Sequence, residues 1–298
     1  LTGAGGAGGD GGIGPAGAGG SGGDPCEMIP DGPFTPVSFS KAFDGSEDIA
    51  FDGKGNLAGK NGSQIVLLDS NGMTTMLAPL SGTTLGVRYM SDGNLLAARQ
   101  QAGHIASITP GGDVSTYAMV TNANGLFVDF DDNVWVARFG ANEVIRIDKN
   151  KDVTSIVKGA EASQANGIVR HPSLPVVYYT EYSEGKIHRV DVSGDTFTPT
   201  LIDTILGARL DGMVMDACGH LYIVDNNPVS KLYRLKLDSN GEATGASVEI
   251  AAFTAKVANA QFGSGPGFKT TSLYAAGFPG EVWEIDVGVC GAAVPTKP

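Results

Sequence analysis

The pattern of apolar and polar residues repeats six times along the chain. Each repeat contains a short apolar segment, a turn rich in Gly, Asp or Pro, a second β-prone segment, another turn, and a segment in which apolar and polar residues alternate. Alternation with a period of two, bounded by turn residues, predicts β-strands. Successive repeats begin 38, 39, 42, 45 and 48 residues apart, at Glu47, Leu85, Asn124, Asn166, Asp211 and Asn259.

Further β-prone segments separate the repeats, among them residues 74–78, 115–120 and 154–159. Four strands in about 40–45 residues are typical of one blade of a β-propeller. No segment predicts an amphipathic helix. The sequence therefore predicts an all-β protein, a six-bladed β-propeller with four-stranded blades. A pair of β-sandwiches is the alternative, but its strands would not repeat at this period.

The last repeat lacks a fourth strand before the chain ends, and residues 36–43 form a spare β-prone segment near the other end. We expect this N-terminal strand to pair within the last blade and close the ring. Closure of this kind would cover two sheet edges that would otherwise be exposed.

Residues 1–25 consist mostly of Gly, Ala and Pro, and we expect them to be a flexible tether before a single propeller domain at residues 26–298. The segment resembles the spacer of bacterial lipoproteins, although Ala4 stands where the lipid-carrying cysteine would be. We therefore expect a secreted protein or one of the bacterial cell envelope. A plain disordered leader is the alternative.

Three cysteines are present, and Cys26 and Cys290 bracket the predicted domain. We predict a disulfide between these two, with Cys218 as a free thiol, which would imply an oxidising compartment. Three unrelated thiols are the alternative.

The net charge of the 298 residues is −12, and only 17% of them are charged. Because a basic surface is missing, nucleic acid and anionic membranes are unsuitable partners. No apolar run approaches the roughly 20 residues that span a bilayer. We expect a monomer that acts on a small molecule.

The residues that begin the repeats should converge at one mouth of the central channel, since the innermost strand of each blade starts near the axis. Five of the six positions carry oxygen-bearing side chains, and only Leu85 does not. Carboxylate and amide oxygens favour Ca²⁺, with Mg²⁺ or Mn²⁺ possible, over zinc. The alternative is ordinary turn chemistry, because Asn-Gly and Asp-Gly are common in turns.

Residues 45–51, 124–129, 166–192 and 210–226 resemble the senescence marker protein/gluconolactonase family and the related paraoxonases, which are six-bladed propellers. The resemblance covers roughly residues 34–290. It implies that Glu47, Asn166 and Asp211 bind a divalent metal, and that Asn124 belongs to the metal or substrate shell.

Two further features bear on the paraoxonase side of this resemblance. The adjacent Glu47 and Asp48 are similar to the acidic pair that serves two calcium ions there, which implies a second, structural ion at Asp48. Paraoxonases place a catalytic histidine before the second inner strand, and this chain has Leu85 instead.

Loops after the second strands should reach the same mouth, and they carry Arg99 and Arg138. We expect these arginines, with Asn259, to contact substrate, and the alternative for the arginines is simple exposure to solvent. The leading hypothesis is a Ca²⁺-dependent hydrolase of lactones or related esters, with Asp211 as the base for the attacking water.

Two other functions stay open. The first is a non-catalytic extracellular propeller, stabilised by metal, that binds a sugar, a peptide or a surface partner. The second follows strictosidine-synthase-like relatives, which share the propeller but have lost the metal ligands. The acidic residues of the ring argue against the second.

Overall fold

The computed structural model describes residues 26, 28–278 and 280–295, and these fold into six four-stranded antiparallel sheets. Each sheet is one blade, so the predicted all-β, six-bladed propeller is confirmed. The predicted tether, residues 1–25, lies outside the described residues. Helical structure in the described part is limited to three single 3-10 turns, Gln100–Ala102, Phe139–Ala141 and Ala160–Ala162. None of the described helices is long and apolar enough to cross a membrane.

The strands of each blade follow one another from the channel outwards. Blades 1 to 3 contain β2 (Ala50–Phe51), β3 (Asn56–Asn61), β4 (Gln64–Asp69) and β5 (Thr74–Pro79); β6 (Val87–Tyr89), β7 (Leu95–Arg99), β8 (His104–Ile108) and β9 (Val114–Ala118); β10 (Ala123–Val128), β11 (Val134–Arg138), β12 (Glu143–Ile147) and β13 (Val153–Lys158). Blades 4 to 6 contain β14 (Ala165–Arg170), β15 (Val176–Glu181), β16 (Lys186–Asp191) and β17 (Pro199–Thr204); β18 (Leu210–Met215), β19 (Leu221–Asp225), β20 (Lys231–Leu235) and β21 (Val248–Ala252); β22 (Asn259–Phe262), β23 (Ser272–Ala276), β24 (Val282–Asp286) and β1 (Val37–Ser40).

The sixth blade combines strands from both ends of the chain. Strand β1 pairs antiparallel with β24, with Val37 opposite Glu284 and Ser38 opposite Trp283. The outermost strand of this blade therefore comes from the N-terminal side, and the ring of blades is held together by backbone hydrogen bonds between distant segments.

The hydrophobic core is a ring of six separate layers, one between each pair of neighbouring blades. The layer between blades 3 and 4, for example, packs Trp135 and Val144 against Ile168 and Val177. Fully burying an aliphatic side chain of this kind contributes roughly 1.5–3 kcal/mol. Because these apolar faces point at the neighbouring blades, the core lies between the blades rather than in the central channel.

A glycine follows the leading residue in blades 2 to 5, and the structure explains why. A Cβ on Gly86, Gly125 or Gly167 would lie 2.4, 2.0 or 2.2 Å from the backbone oxygen of the leading residue in the next blade. On Gly212 it would lie 2.2 Å from the side chain of Asn259. These Asn-Gly and Asp-Gly pairs therefore mark close contact between inner strands rather than turns.

The predicted disulfide between Cys26 and Cys290 is wrong. Cys26 pairs with Cys218, with 5.5 Å between the two Cα atoms, and Cys290 is an exposed free thiol. The prediction that Cys218 is free is wrong as well. A disulfide does join the N-terminal segment to the propeller, but through a different blade.

The path of the N-terminal segment gives the reason for this pairing. Arg234 in blade 5 donates hydrogen bonds to the Pro30 carbonyl oxygen (2.7 Å) and to the Asp31 carboxylate (2.8 Å). The segment therefore runs along blade 5 before it reaches blade 6. Cys218 lies in the turn between β18 and β19 of that same blade, so Cys26 meets it first.

Candidate functional site

Four of the predicted site residues lie at the start of inner strands and are buried: Asn124, Asn166, Asp211 and Asn259. In the strands that carry Asn124, Asn166 and Asp211, the pairing register shifts at this point. The shift lies between residues 123 and 126 in β10, 165 and 168 in β14, and 210 and 213 in β18. Such β-bulges redirect side chains and are common beside functional sites. In each of these strands a glycine directly follows the polar residue and lies within the bulge.

Glu47 lies in a loop before β2 rather than inside the strand, and it is half-buried. The hydroxyl of Ser46 fixes this loop, because it donates a 2.7 Å hydrogen bond to the carbonyl oxygen of Asp48 and accepts a 2.9 Å hydrogen bond from the backbone N–H of Lys60. The loop thereby holds Glu47 next to the start of the inner strand.

Glu47 and Asp211 interact electrostatically although they belong to blades 1 and 5. Burial, reinforced by the neighbouring Asp48 carboxylate, raises the pKa of Glu47 to about 7. Burial, followed by the Glu47 and Asp48 carboxylates, raises the pKa of Asp211 well above its ordinary value. The neighbouring side chain of Asn166 and the charge of Lys256 both lower the pKa of Asp211 and so oppose the shift. The fold therefore brings Glu47, Asn166 and Asp211 together.

This donor set fits a hard divalent cation. Two carboxylates share a desolvated place, and such a pair is unfavourable without a compensating positive charge. The amide oxygens of Asn124 and Asn166 add neutral ligands of the type that Ca²⁺ accepts. No described residue hydrogen-bonds the side chain of Asn124, so its amide is available. The described part of the chain contains no group of three or more His, Cys, Asp or Glu residues that could hold a metal, so any site here depends on the amides.

Asn259 is turned towards its own strand. Its Oδ1 atom accepts a 2.9 Å hydrogen bond from the backbone N–H of Ala260, and its side chain packs against Gly212. It supports the position of Asp211 in the neighbouring strand.

Asp48, the residue expected at a second ion, already has a cationic partner. Its carboxylate forms an ion pair with Arg88 and accepts hydrogen bonds from the backbone N–H groups of Val87 and Ile49, both at 2.9 Å. Burial raises the pKa of Asp48, and the charge of Arg88 opposes that shift. A second ion at Asp48 would have to displace Arg88.

The arginines expected to contact substrate are bonded to neighbouring loops. Arg138 donates to the carbonyl oxygen and hydroxyl of Thr121, at 3.0 and 2.9 Å, and forms an ion pair with Glu143. Arg99 donates to the carbonyl oxygen of Ser81. Both side chains therefore hold the loops around the mouth, and a substrate would have to compete for Arg138.

Sequence reasoning did not identify Lys256 and Arg209 as residues of the mouth. The charge of Lys256 acts on both Glu47 and Asp211, and Arg209 acts on Tyr182. The sequence contained a signal for both, because Lys256 precedes the leading residue Asn259 by three positions and Arg209 precedes Asp211 by two. The segment entering an inner strand approaches the mouth together with that strand.

Tyr182 forms part of the wall beside the acidic residues. Its hydroxyl donates a 3.1 Å hydrogen bond to Asn226, and its ring packs edge-to-face on Phe139 with 5.6 Å between the centroids. Burial raises the pKa of Tyr182, and the carboxylate of Asp211 adds to the shift. The mouth thus combines a carboxylate and amide floor with an aromatic side.

Comparison with solved structures finds propellers of the same architecture at low sequence identity. A gluconolactonase from Xanthomonas campestris superposes with a TM-score of 0.68 at 14% identity, over 85% of this chain and 89% of that one. Regucalcin, a calcium-binding protein from Agrobacterium tumefaciens, gives 0.68 at 14% identity, over 89% and 98%. Virginiamycin B lyase from Staphylococcus aureus, bound to quinupristin, gives 0.61 at 17% identity, over 81% and 80%.

No protein-family model and no curated protein matches the sequence. The likeness is therefore one of fold, and the solved propellers that share it include a lactonase, a calcium-binding protein and a lyase. A fold of this kind hosts several reactions, so the function has to be argued from the site itself.

Proposed function

We propose that the protein is a divalent-metal-dependent hydrolase of lactones or related esters, with Ca²⁺ as the metal and Glu47, Asn124, Asn166 and Asp211 as its ligands. The observation that carries the proposal is that the half-buried Glu47 lies close enough to the buried Asp211 for its carboxylate to raise the pKa of Asp211, while the charge of Lys256 opposes that shift. The likeness to propellers described as a gluconolactonase and a calcium-binding protein supports it.

When bound, the cation supplies positive charge that stabilises the negative charge developing on the carbonyl oxygen. Asp211 accepts a proton from the water that attacks the carbonyl carbon. Carboxylates are among the usual general bases of enzymes, which suits this role. The amide of Asn166 lies beside this carboxylate, and the half-buried Tyr182 stands next to it on the wall of the mouth.

The compartment and partners follow from the same proposal. The Cys26–Cys218 disulfide supports an oxidising location, either outside the cell or in the envelope. The substrate would be a small molecule bound at the mouth, and we propose that the protein acts as a monomer.

Asp211→Asn tests the function directly. We expect hydrolysis of a lactone and ester panel, followed by proton release in millimolar calcium, to fall by about 10²–10⁴-fold, the usual contribution of a general base. The exposed Asp195→Asn is the matched control and should retain full activity. An Asp211→Asn enzyme that keeps full activity with calcium bound would refute the role of Asp211.

Thermal unfolding separates metal binding from catalysis. Calcium at a hundredfold excess over its Kd should stabilise the native protein by about 2.7 kcal/mol, and excess chelator should remove this effect. We expect Asp211→Asn to lose most of the stabilisation and Asp195→Asn to keep it.

The second candidate is a non-catalytic, metal-stabilised extracellular propeller that binds a sugar, a peptide or a surface partner. The apolar Leu85 in the ring and the bonded guanidinium of Arg138 favour it, because both reduce the chemical groups available to a substrate. Calcium-dependent stabilisation without turnover of any lactone or ester would select this function.

A further inference from the structure

A cavity lies at the other end of the channel from the proposed metal site. It has a volume of about 410 Å³ and is lined by the later parts of all six inner strands together with residues 290–295. In β10, Asn124 lies at the end of the channel with the proposed metal site, and Val128 lies at the cavity. The two residues are four positions apart, which corresponds to about 13 Å of extended strand. The cavity is therefore separate from the mouth that carries Glu47 and Asp211.

The lining of this cavity is mainly apolar, and its charged residues are all of one sign. Large apolar side chains form most of the wall: Phe51, Phe127, Met213, Met215, Phe262 and Val294. Arg88 and Arg170 also line it, and none of the described lining residues is acidic. A concave apolar site with a few directed polar groups is the usual form of a small-molecule site.

Arg170 can accept a further anion. Its nearest carboxylate, that of Asp129, lies 3.7 Å from Nε and already accepts hydrogen bonds from the backbone of Asp131, from Asn133 and from the Trp135 indole. Asp129 therefore does not depend on Arg170.

Arg88 provides a second set of donors. Its Nη1 atom donates to Asp48 and to the carbonyl oxygen of Val87, while Nη1 of Arg170 donates to the carbonyl oxygen of His171. Neither Nη2 atom has an acceptor among the described residues. Guanidinium groups at a partly desolvated wall bind carboxylates strongly and with defined geometry.

We propose that this cavity is a second ligand site, which binds an apolar monoanion: a carboxylate on a hydrocarbon or aromatic body. The carboxylate contacts Arg170 and Arg88, and the apolar body packs on the Phe and Met side chains. The two methionines adapt to the shape of the body, since their side chains are flexible and polarisable.

The C-terminal segment forms one wall and supplies a natural probe. The backbone N–H of Ala292 donates to the Met215 carbonyl oxygen at 2.9 Å, and the N–H of Ala217 donates to the Cys290 carbonyl oxygen at 2.8 Å. These bonds fix the segment against blade 5. Cys290 lines the cavity and is the chain's free cysteine, so its alkylation rate reports on occupancy.

Octanoate and octan-1-ol form a matched pair of probes, because they share the hydrocarbon body and differ in charge. By calorimetry we expect saturable binding of octanoate, at least about tenfold tighter than that of the alcohol. Saturating octanoate should slow the alkylation of Cys290 by iodoacetamide at least about threefold. Equal affinity for the two probes, no saturable octanoate binding at millimolar concentration, or an unprotected Cys290 would each overturn the proposal.

Arg170→Met removes the charge but keeps an apolar stem, and Arg170→Lys keeps the charge. We expect about a tenfold loss of octanoate affinity in the first variant and a smaller loss in the second. Asp211→Asn serves as the control for location and should bind octanoate like the native protein. Loss of octanoate binding in Asp211→Asn would place the anion at the other mouth and overturn the second site, whatever the outcome for hydrolysis.

Discussion

Gly125→Ala is the sharpest test of how the inner strands meet. An added Cβ would lie 2.0 Å from the backbone oxygen and 3.1 Å from the backbone carbon of Asn166 in the next blade. Gly125 does not adopt a positive φ, so the substitution introduces no backbone strain of its own. The effect therefore measures the contact between the blades alone.

The magnitude follows from the geometry. A carbon atom rarely comes within 3.0 Å of such an oxygen, so β10 and β14 must separate by about 1 Å or more to accommodate the methyl group. Overpacking of this kind typically costs about 1–3 kcal/mol, and we expect the upper end because both partners are backbone atoms of sheets. Replacing a glycine that has free space around it by alanine has the opposite effect on the free energy of unfolding, and typically stabilises the protein by about 0.4–1 kcal/mol.

Equilibrium unfolding in urea, with the disulfide intact, measures the difference. Gly194→Ala is the matched control, because no atom lies within 4 Å of the added Cβ and the φ of Gly194 is not positive. We expect the two variants to differ by about 3–4 kcal/mol. The displaced strand carries Asn166, so Gly125→Ala should also weaken the stabilisation by calcium. Equal stabilities of the two variants, within about 0.5 kcal/mol, would refute the close contact.

Two further predictions concern the rest of the propeller. The Cys26–Cys218 disulfide joins residues 192 positions apart, and replacing Cys218 by Ser removes it. We expect thermal unfolding under oxidising conditions to show a loss of stability of about 2–5 kcal/mol. Cys290→Ser should change stability by less than about 0.5 kcal/mol. Burial lowers the pKa of His188 to about 4, so its imidazole stays neutral in the folded protein while the unfolded chain takes up a proton near pH 6.5. The contribution of His188 to stability should therefore be complete above about pH 6.5 and fall by about 2–3 kcal/mol towards pH 4. The native protein should lose that much more stability than His188→Gln over this range, and an equal fall in both would contradict this origin.

Local sequence patterns determined the architecture. In each strand the alternation of apolar and polar residues puts the apolar side chains on one face, which must be buried. Because the pattern occurs six times, it predicts six similar sheets. For the same reason the leading residues Asn124, Asn166 and Asp211 could be placed at corresponding positions of their blades before the structure was available. Glu47 differs, because it lies three residues before its strand and depends on Ser46 for its position.

Only the tertiary structure decided which distant residues meet. Cys26 pairs with Cys218 on blade 5, the blade on which Arg234 also binds the N-terminal segment, and nothing in the spacing of the cysteines records that path. Arg88 forms an ion pair with Asp48 from another blade, and the sequence does not indicate this contact. The apolar cavity likewise needs the ends of six inner strands and residues 290–295 in one place. Periodicity is a property of neighbours along the chain, so it predicts strands and blades. Pairing across blades depends on how the blades pack around the axis, and only the folded chain contains that information.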